Sequence, residues 1–242
     1  MSPGPAGTAA SAARVAAAQE RFRATVETLG EAGLSEPSAL PGWTRGHVCA
    51  HLARNADGLR NLLSWAETGT PRPMYAGADS RAADIERDAP RPAAVHLADL
   101  ERSGDEFLAH ARRLEPVAWS AEVVLRNGDR VPAHRLLGHR LREVLIHHVD
   151  LRAGFTPADW PAEDARLLLE SLAGDWSRRS DCPPLELHAE DTGDRFTAGA
   201  GAGTSVRVTG AAHELAAWLA GRSGGRGPRC SSGPLPVLPA WL

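Results

Sequence analysis

At 242 residues, 43% hydrophobic and 24% charged, the chain has the composition of a soluble globular protein large enough for one core or two. A net charge of −3 provides no basic field for nucleic acid or for an anionic membrane surface. All 27 basic residues are arginine, which excludes Schiff-base lysine chemistry, a lysine general base and a phosphate-binding P-loop lysine.

In chain order, Val15, Phe22, Val26 and Leu29 fall at helical spacing and predict a first long helix over residues 9–30. The N-terminus has no basic start followed by an apolar run, so no signal peptide is expected. A second helix follows a Pro-Gly turn, with Thr44 as its N-cap, and stops at Gly-Thr-Pro, 69–71. A short helix at about 78–88 and a third long one over 92–114 come next. In "VVLRNGDRV" the Asn-Gly pair marks a turn between two short extended pieces. The fourth long helix runs from about 133 to 153 and ends at Gly154.

Beyond Gly154 the pattern changes. One more helix is followed by strand, turn and strand in "PLELHAEDTGDRFTAG", a further strand in "TSVRVTG" and a helix in "AAHELAAWLAGR". The end, "SSGPLPVLPAWL", reads as extended and proline-punctuated. The expected architecture is α+β: a four-helix bundle over 1–155 and a small C-terminal α/β domain over 156–242.

The stretch "HRLREVLIHHVD" holds His139, Glu143, His147, His148 and Asp150. On a helix Glu143 and His147 lie about 40° apart, beside the apolar stripe, so both can reach one metal ion. "HVCAH" places His47 and His51 at the same spacing on the second helix, which an antiparallel packing would set against them. Spacing alone does not choose between His47 and His51, or between His139 and His147. Such pairs also arise as ordinary polar edges of helices.

Other catalytic patterns are missing. No G-x-S-x-G string joins a predicted strand to a helix as a nucleophile elbow does, since "GRSGG" at 221–225 follows a helix, and "GAGAGTS" fits a loop between strands better than a phosphate or dinucleotide loop. The three cysteines, Cys49, Cys182 and Cys230, are scattered and odd in number, which suits a reducing cytoplasm. Cys49 lies about 160° from His51 on the helical wheel and reads as a packing residue.

Five ordered pieces carry a resemblance: "LPGWTRGHVCAHLARNADGL", "WAETGTPRPMYAGADSRAADIE", "HRLREVLIHHVDL", "WLAGR" and the final "LPAWL". Together they resemble the mycothiol-dependent maleylpyruvate isomerase family, whose fold is a DinB-like metal-dependent bundle with an added C-terminal α/β domain. The resemblance implies zinc held by His51, Glu143 and His147, with Arg222 of "WLAGR" matching an arginine associated with activity. His47, Tyr75 and Arg81 become candidates for lining the substrate or thiol pocket, and Asp150 for hydrogen-bonding a ligand histidine. Arg140 and Arg142 are read as pinning their helix, and Asn55 as making a structural hydrogen bond.

Two imidazoles and one carboxylate leave a fourth zinc position open, the arrangement of catalytic sites. That position suits the sulfur of a small thiol. The implied reaction is cis–trans isomerisation of maleylpyruvate to fumarylpyruvate by reversible thiolate addition, in gentisate degradation. A mycothiol S-transferase acting on another electrophile is the alternative. A non-catalytic binding module is a third reading, against which the intact His51, Glu143 and His147 set counts. The expected partners are a small thiol and a small diacid or other electrophile, with no nucleic acid and no membrane. Oligomeric state is left open, a monomer being favoured.

Overall fold

The helical spacing of Val15, Phe22 and Val26 becomes one buried edge of α1 (Pro5–Leu34). Gly30 interrupts α1 near its end with φ 60° and ψ −168°, a conformation that glycine adopts without a Cβ penalty. The computed structural model describes residues 5–77, 79–223 and 227–240. By contacts it forms two compact units, Met1–Gly154 and Phe155–Leu242.

Thr44 caps α2 (Arg45–Thr68), and Gly69 closes it in the left-handed conformation, φ 71°. Next come α3 (Ser80–Asp88), α4 (Ala93–Arg113) and a hairpin of β1 (Glu122–Val124) and β2 (Arg130–Pro132), then α5 (Leu136–Asp150). Helix α5 is shorter than its spacing predicts. Residues Ala133–Arg135, just after Pro132, wind as a 3-10 turn, and Arg152 and Gly154 take positive φ beyond the helix end.

The side-chain pairings set the helix directions. Gln19 and Thr25 of α1 meet Arg140 and His148 of α5 in the same order, so those two helices run parallel. Arg54 and Arg60 of α2 meet Asp99 and Glu106 of α4, a second parallel pair. His51 and Asn55 of α2 meet His147 and Arg140 of α5 in reverse order, so α2 and α5 are antiparallel. Val48, Leu52, Leu59, Leu63, Phe107, Leu137 and Val144 are almost fully buried between these helices. At roughly 1.5–3 kcal/mol per buried aliphatic or aromatic side chain, this core is the main source of the bundle's stability.

The helix α3 is held from both sides. A Cβ at Gly46 would stand 2.3 Å from the Ala89 carbonyl oxygen, so a glycine here lets α2 and the end of α3 approach closely. Asp88, 1% exposed, accepts from Arg54 at 3.0 Å and from Arg87 at 2.9 Å.

In the second unit, α6 (Ala162–Trp176) and α7 (Ala212–Leu219) pack on each other and against a four-stranded sheet. Its strands are β3 (Leu185–Ala189), β4 (Arg195–Ala198), β5 (Val206–Gly210) and β6 (Arg229–Cys230), in the order β4-β3-β5-β6. β3 and β4 form the expected antiparallel hairpin, while β5 pairs parallel to β3. The glycine-rich run 199–205 is the connection between β4 and β5. A Cβ at Gly199 would fall 1.9 Å from the Pro183 carbonyl oxygen. No helix among the described residues is long and apolar enough to cross a membrane.

Candidate metal centre

The antiparallel contact of α2 with α5 brings His51, Glu143 and His147 together. His51 Nε2 lies 2.9 Å from Glu143 Oε2 and 3.0 Å from His147 Nε2. The Glu143 and His147 atoms stand 3.6 Å apart. A single proton on His51 Nε2 can serve only one of those neighbours, whereas one cation can serve all three atoms. Ligand atoms around a tetrahedral zinc, each ~2.0–2.1 Å from it, are about 3.3 Å from one another. The observed triangle fits that requirement, and the donor set of two imidazoles and a carboxylate fits the ion.

A hydrogen bond reaches the second nitrogen of each ring, and the one to His147 sets the tautomer that ligation needs. His147 Nδ1 donates to Asp150 Oδ2 at 2.8 Å, leaving the Nε2 lone pair aimed at the other two residues. Arg81 donates to His51 Nδ1 at 3.1 Å. The Trp43 ring tilts against that of His51, centroids 5.8 Å apart, and covers one side of the site.

The electrostatics follow from burial and proximity. Burial, followed by the nearby His147, lowers His51 to about 4, so its ring is neutral at physiological pH. Burial alone would raise Glu143, but hydrogen bonds from His147 and His51 hold it well below the usual carboxylate range. For His147 burial works against the charged ring, yet the hydrogen bonds to Asp150 and Glu143 raise its pKa above the ordinary value. A carboxylate is thus kept ionised between two imidazoles, as a divalent cation requires.

The remaining histidines are engaged elsewhere. His47 Nδ1 accepts from Thr44 N at 3.1 Å and so completes the cap of α2, while Nε2 faces Glu86 at 3.3 Å. His148 is buried edge-on against Phe22 and bonds Thr25 Oγ1 at 2.8 Å. His139 sits beside Arg142, 3.3 Å from its guanidinium. Arg140 is 1% exposed and donates to Gln19 Oε1, the Leu52 carbonyl and Asn55 Oδ1, tying α5 to α1 and α2. Cys49 is wholly buried, and that burial pushes its thiol pKa up, away from nucleophilic use.

Tyr75 lies near Arg81 and lines a cavity of about 460 Å³ between the loop after α2 and the β1–β2 hairpin. Arg222 belongs to the second unit, where it follows α7 and donates to the Ala220 carbonyl at 2.5 Å. Two neighbours of the site escaped the sequence reading. Trp43 lies in the capping stretch "PGWTRGH", where an aromatic beside a Pro-Gly turn is the available signal. Arg126 lines the Tyr75 cavity but sits in a segment that reads simply as a hairpin turn.

A family model described as the mycothiol maleylpyruvate isomerase N-terminal domain matches residues 15–152. The chain is similar along nearly its whole length to the crystal structure of the mycothiol-dependent maleylpyruvate isomerase. That match is 31% identical, with TM-score 0.88 and 97% of each chain covered. A histidine-to-alanine mutant of that isomerase matches with TM-score 0.87 at the same identity and coverage. No curated protein matches the chain. With its first unit matched by the family model and nearly its full length by a solved member, the chain belongs to the mycothiol maleylpyruvate isomerase family.

Proposed function

We propose that the protein is a zinc- and mycothiol-dependent isomerase that converts maleylpyruvate to fumarylpyruvate. The observation that carries this reading is the convergence of His51, Glu143 and His147 on one point, in a chain of this family. His51, Glu143 and His147 would hold the ion, and Asp150 would fix the tautomer of His147 through Nδ1. Bound zinc supplies the charge that keeps a small thiol deprotonated at neutral pH, and its affinity for sulfur favours it over harder divalent ions.

The substrate's C=C gains a C–S bond at one end while its π pair moves onto the conjugated carbonyl as an enolate. The former double bond then turns as a single bond. The electron pair returns as the C–S bond breaks, leaving the trans alkene and an unchanged thiol. No proton or electron is lost in the cycle.

Arg222 is assigned a part in the activity, carried over from the family's arginine at that position, with its permanent positive charge suited to a developing anion. Arg81 is assigned to a substrate carboxylate. Ligation through His51 Nε2 would leave the proton on Nδ1, which then could not accept from Arg81, so the guanidinium would be available to another acceptor. The free cysteines Cys49, Cys182 and Cys230 support a reducing cytoplasm as its location.

The test is zinc-loaded protein with maleylpyruvate and substoichiometric mycothiol. Fumarylpyruvate formed over many turnovers, with all thiol recovered, is the expected result. Thiol consumed one for one would instead identify an S-transferase on the same scaffold.

A further inference from the structure

Many bundle arginines are matched to carboxylates: Arg54 to Asp88 and Asp99, Arg102 to Asp57 and Asp99. The two cations that flank Tyr75 are not. Among the described residues, Arg81 and Arg126 have no carboxylate within ion-pair distance; both lie near Tyr75, and Arg126 lines the same cavity as the phenol. The cavity of about 460 Å³ beside Tyr75 is lined by Trp65, Pro71, Met74 and Leu125, with Arg126 as its one charged side chain. Its other wall, Tyr75, leads through Arg81 to His51 Nδ1. A largely apolar cleft with one unmatched guanidinium fits a carbon chain ending in an anion. A sugar would need more donors and acceptors than these walls present.

We infer that this cavity receives the keto-acid end of the substrate and that Arg126 binds its terminal carboxylate. The inference rests on the isomerase reading. A C=C placed at the metal triad puts the alkene carboxylate beside Arg81. The keto-acid carboxylate lies at the opposite end of the carbon chain, past Tyr75. Arg126 then selects dianionic over monoanionic electrophiles, and it does so by binding that is equal in the ground state and the transition state.

The test compares maleylpyruvate with maleylacetone, the same skeleton with a methyl group in place of the keto-acid carboxylate. In zinc-loaded Arg126→Gln the KM for maleylpyruvate rises about tenfold with kcat within about twofold, the pattern of a lost uniform binding contact. KM for maleylacetone stays within about twofold of wild type, and Arg126→Lys recovers part of the maleylpyruvate affinity. Equal rises for both compounds, or no rise for either, overturn the inference. Calorimetric binding of maleylpyruvate separates this result from failure of the isomerase reading. If wild type turns over neither compound yet binds maleylpyruvate more tightly than Arg126→Gln does, the isomerisation fails and the anion site stands. If wild type shows neither turnover nor binding, both are overturned.

Discussion

Against α3 and α4 the bundle sets Arg54 of α2 on Asp88 and Asp99; between α2 and α5 it sets His51 against Glu143 and His147. Both clusters tie α2 to a neighbouring element, and both are largely buried. In the first, each charge meets its opposite: Asp88 alone is reached by Arg54, Arg87 and Arg91 at 3.0, 2.9 and 2.5 Å. That network is complete in itself. In the second, two ring nitrogens and a carboxylate oxygen face one another, a donor set that one cation among them would satisfy together. Matched opposite charges build scaffold here, and converging donors of one kind build a site.

The largest effect expected from that contrast is on stability. Asp88→Asn removes the buried carboxylate shared by Arg54, Arg87 and Arg91, which keep only Asp57, Asp99 and Asp84 as partners. It is expected to cost about 2 kcal/mol, the loss of charge-assisted hydrogen bonds to one buried group. Urea unfolding of the variant measures it, and zinc content of the folded fraction should be unchanged. A loss under half a kilocalorie, on the order of a surface pair, would mean that the network is not what holds α3.

Asp150→Asn acts on the other cluster. The carboxylate that accepts from His147 Nδ1 becomes an amide, which can present its NH2 group there instead. Zinc affinity, titrated against a competing chelator, is expected to fall about 10–100-fold with the melting temperature of the metal-free protein little changed. An unchanged affinity would remove Asp150 from the account of the site.

The smallest effect is a pH dependence. His96 is 3% exposed and donates to the Ala89 carbonyl; burial lowers its pKa below 6.5. The folded state therefore prefers the neutral ring, and its stability is full above 6.5, the ordinary histidine value. Stability falls as pH drops from there toward the lower folded pKa, because the unfolded chain takes up the proton first. His96→Gln should flatten unfolding midpoints measured between pH 7 and 5, roughly one pH unit to either side of ordinary histidine titration. An identical slope in wild type and variant would assign the dependence to other groups.

Local signals made much of this legible in the sequence. Thr44 and Gly69 mark the ends of α2 through chemistry contained within one turn, and both are found there. The Asn-Gly pair fixes the β1–β2 hairpin in the same way. The break at Gly30, the 3-10 turn after Pro132 and the two-residue β6 were not legible, since each depends on packing or pairing with distant residues. The parallel β3–β5 pairing is likewise non-local.

At the site, helical spacing placed Glu143 and His147 together but left His47 and His51 open. In the structure His47 closes the helix cap and His51 faces α5, a difference set by about one turn of α2. Arg126 was invisible for another reason. A hairpin arginine looks solvated until the fold shows what lies beside it.

The central claim is that His51, Glu143 and His147 hold one zinc ion. Elemental analysis of wild type and His51→Ala, purified side by side without chelator, tests it most directly. The account predicts near one zinc per chain in wild type and almost none in a variant that remains folded by circular dichroism. Equal zinc in both proteins, or none in either, would contradict it.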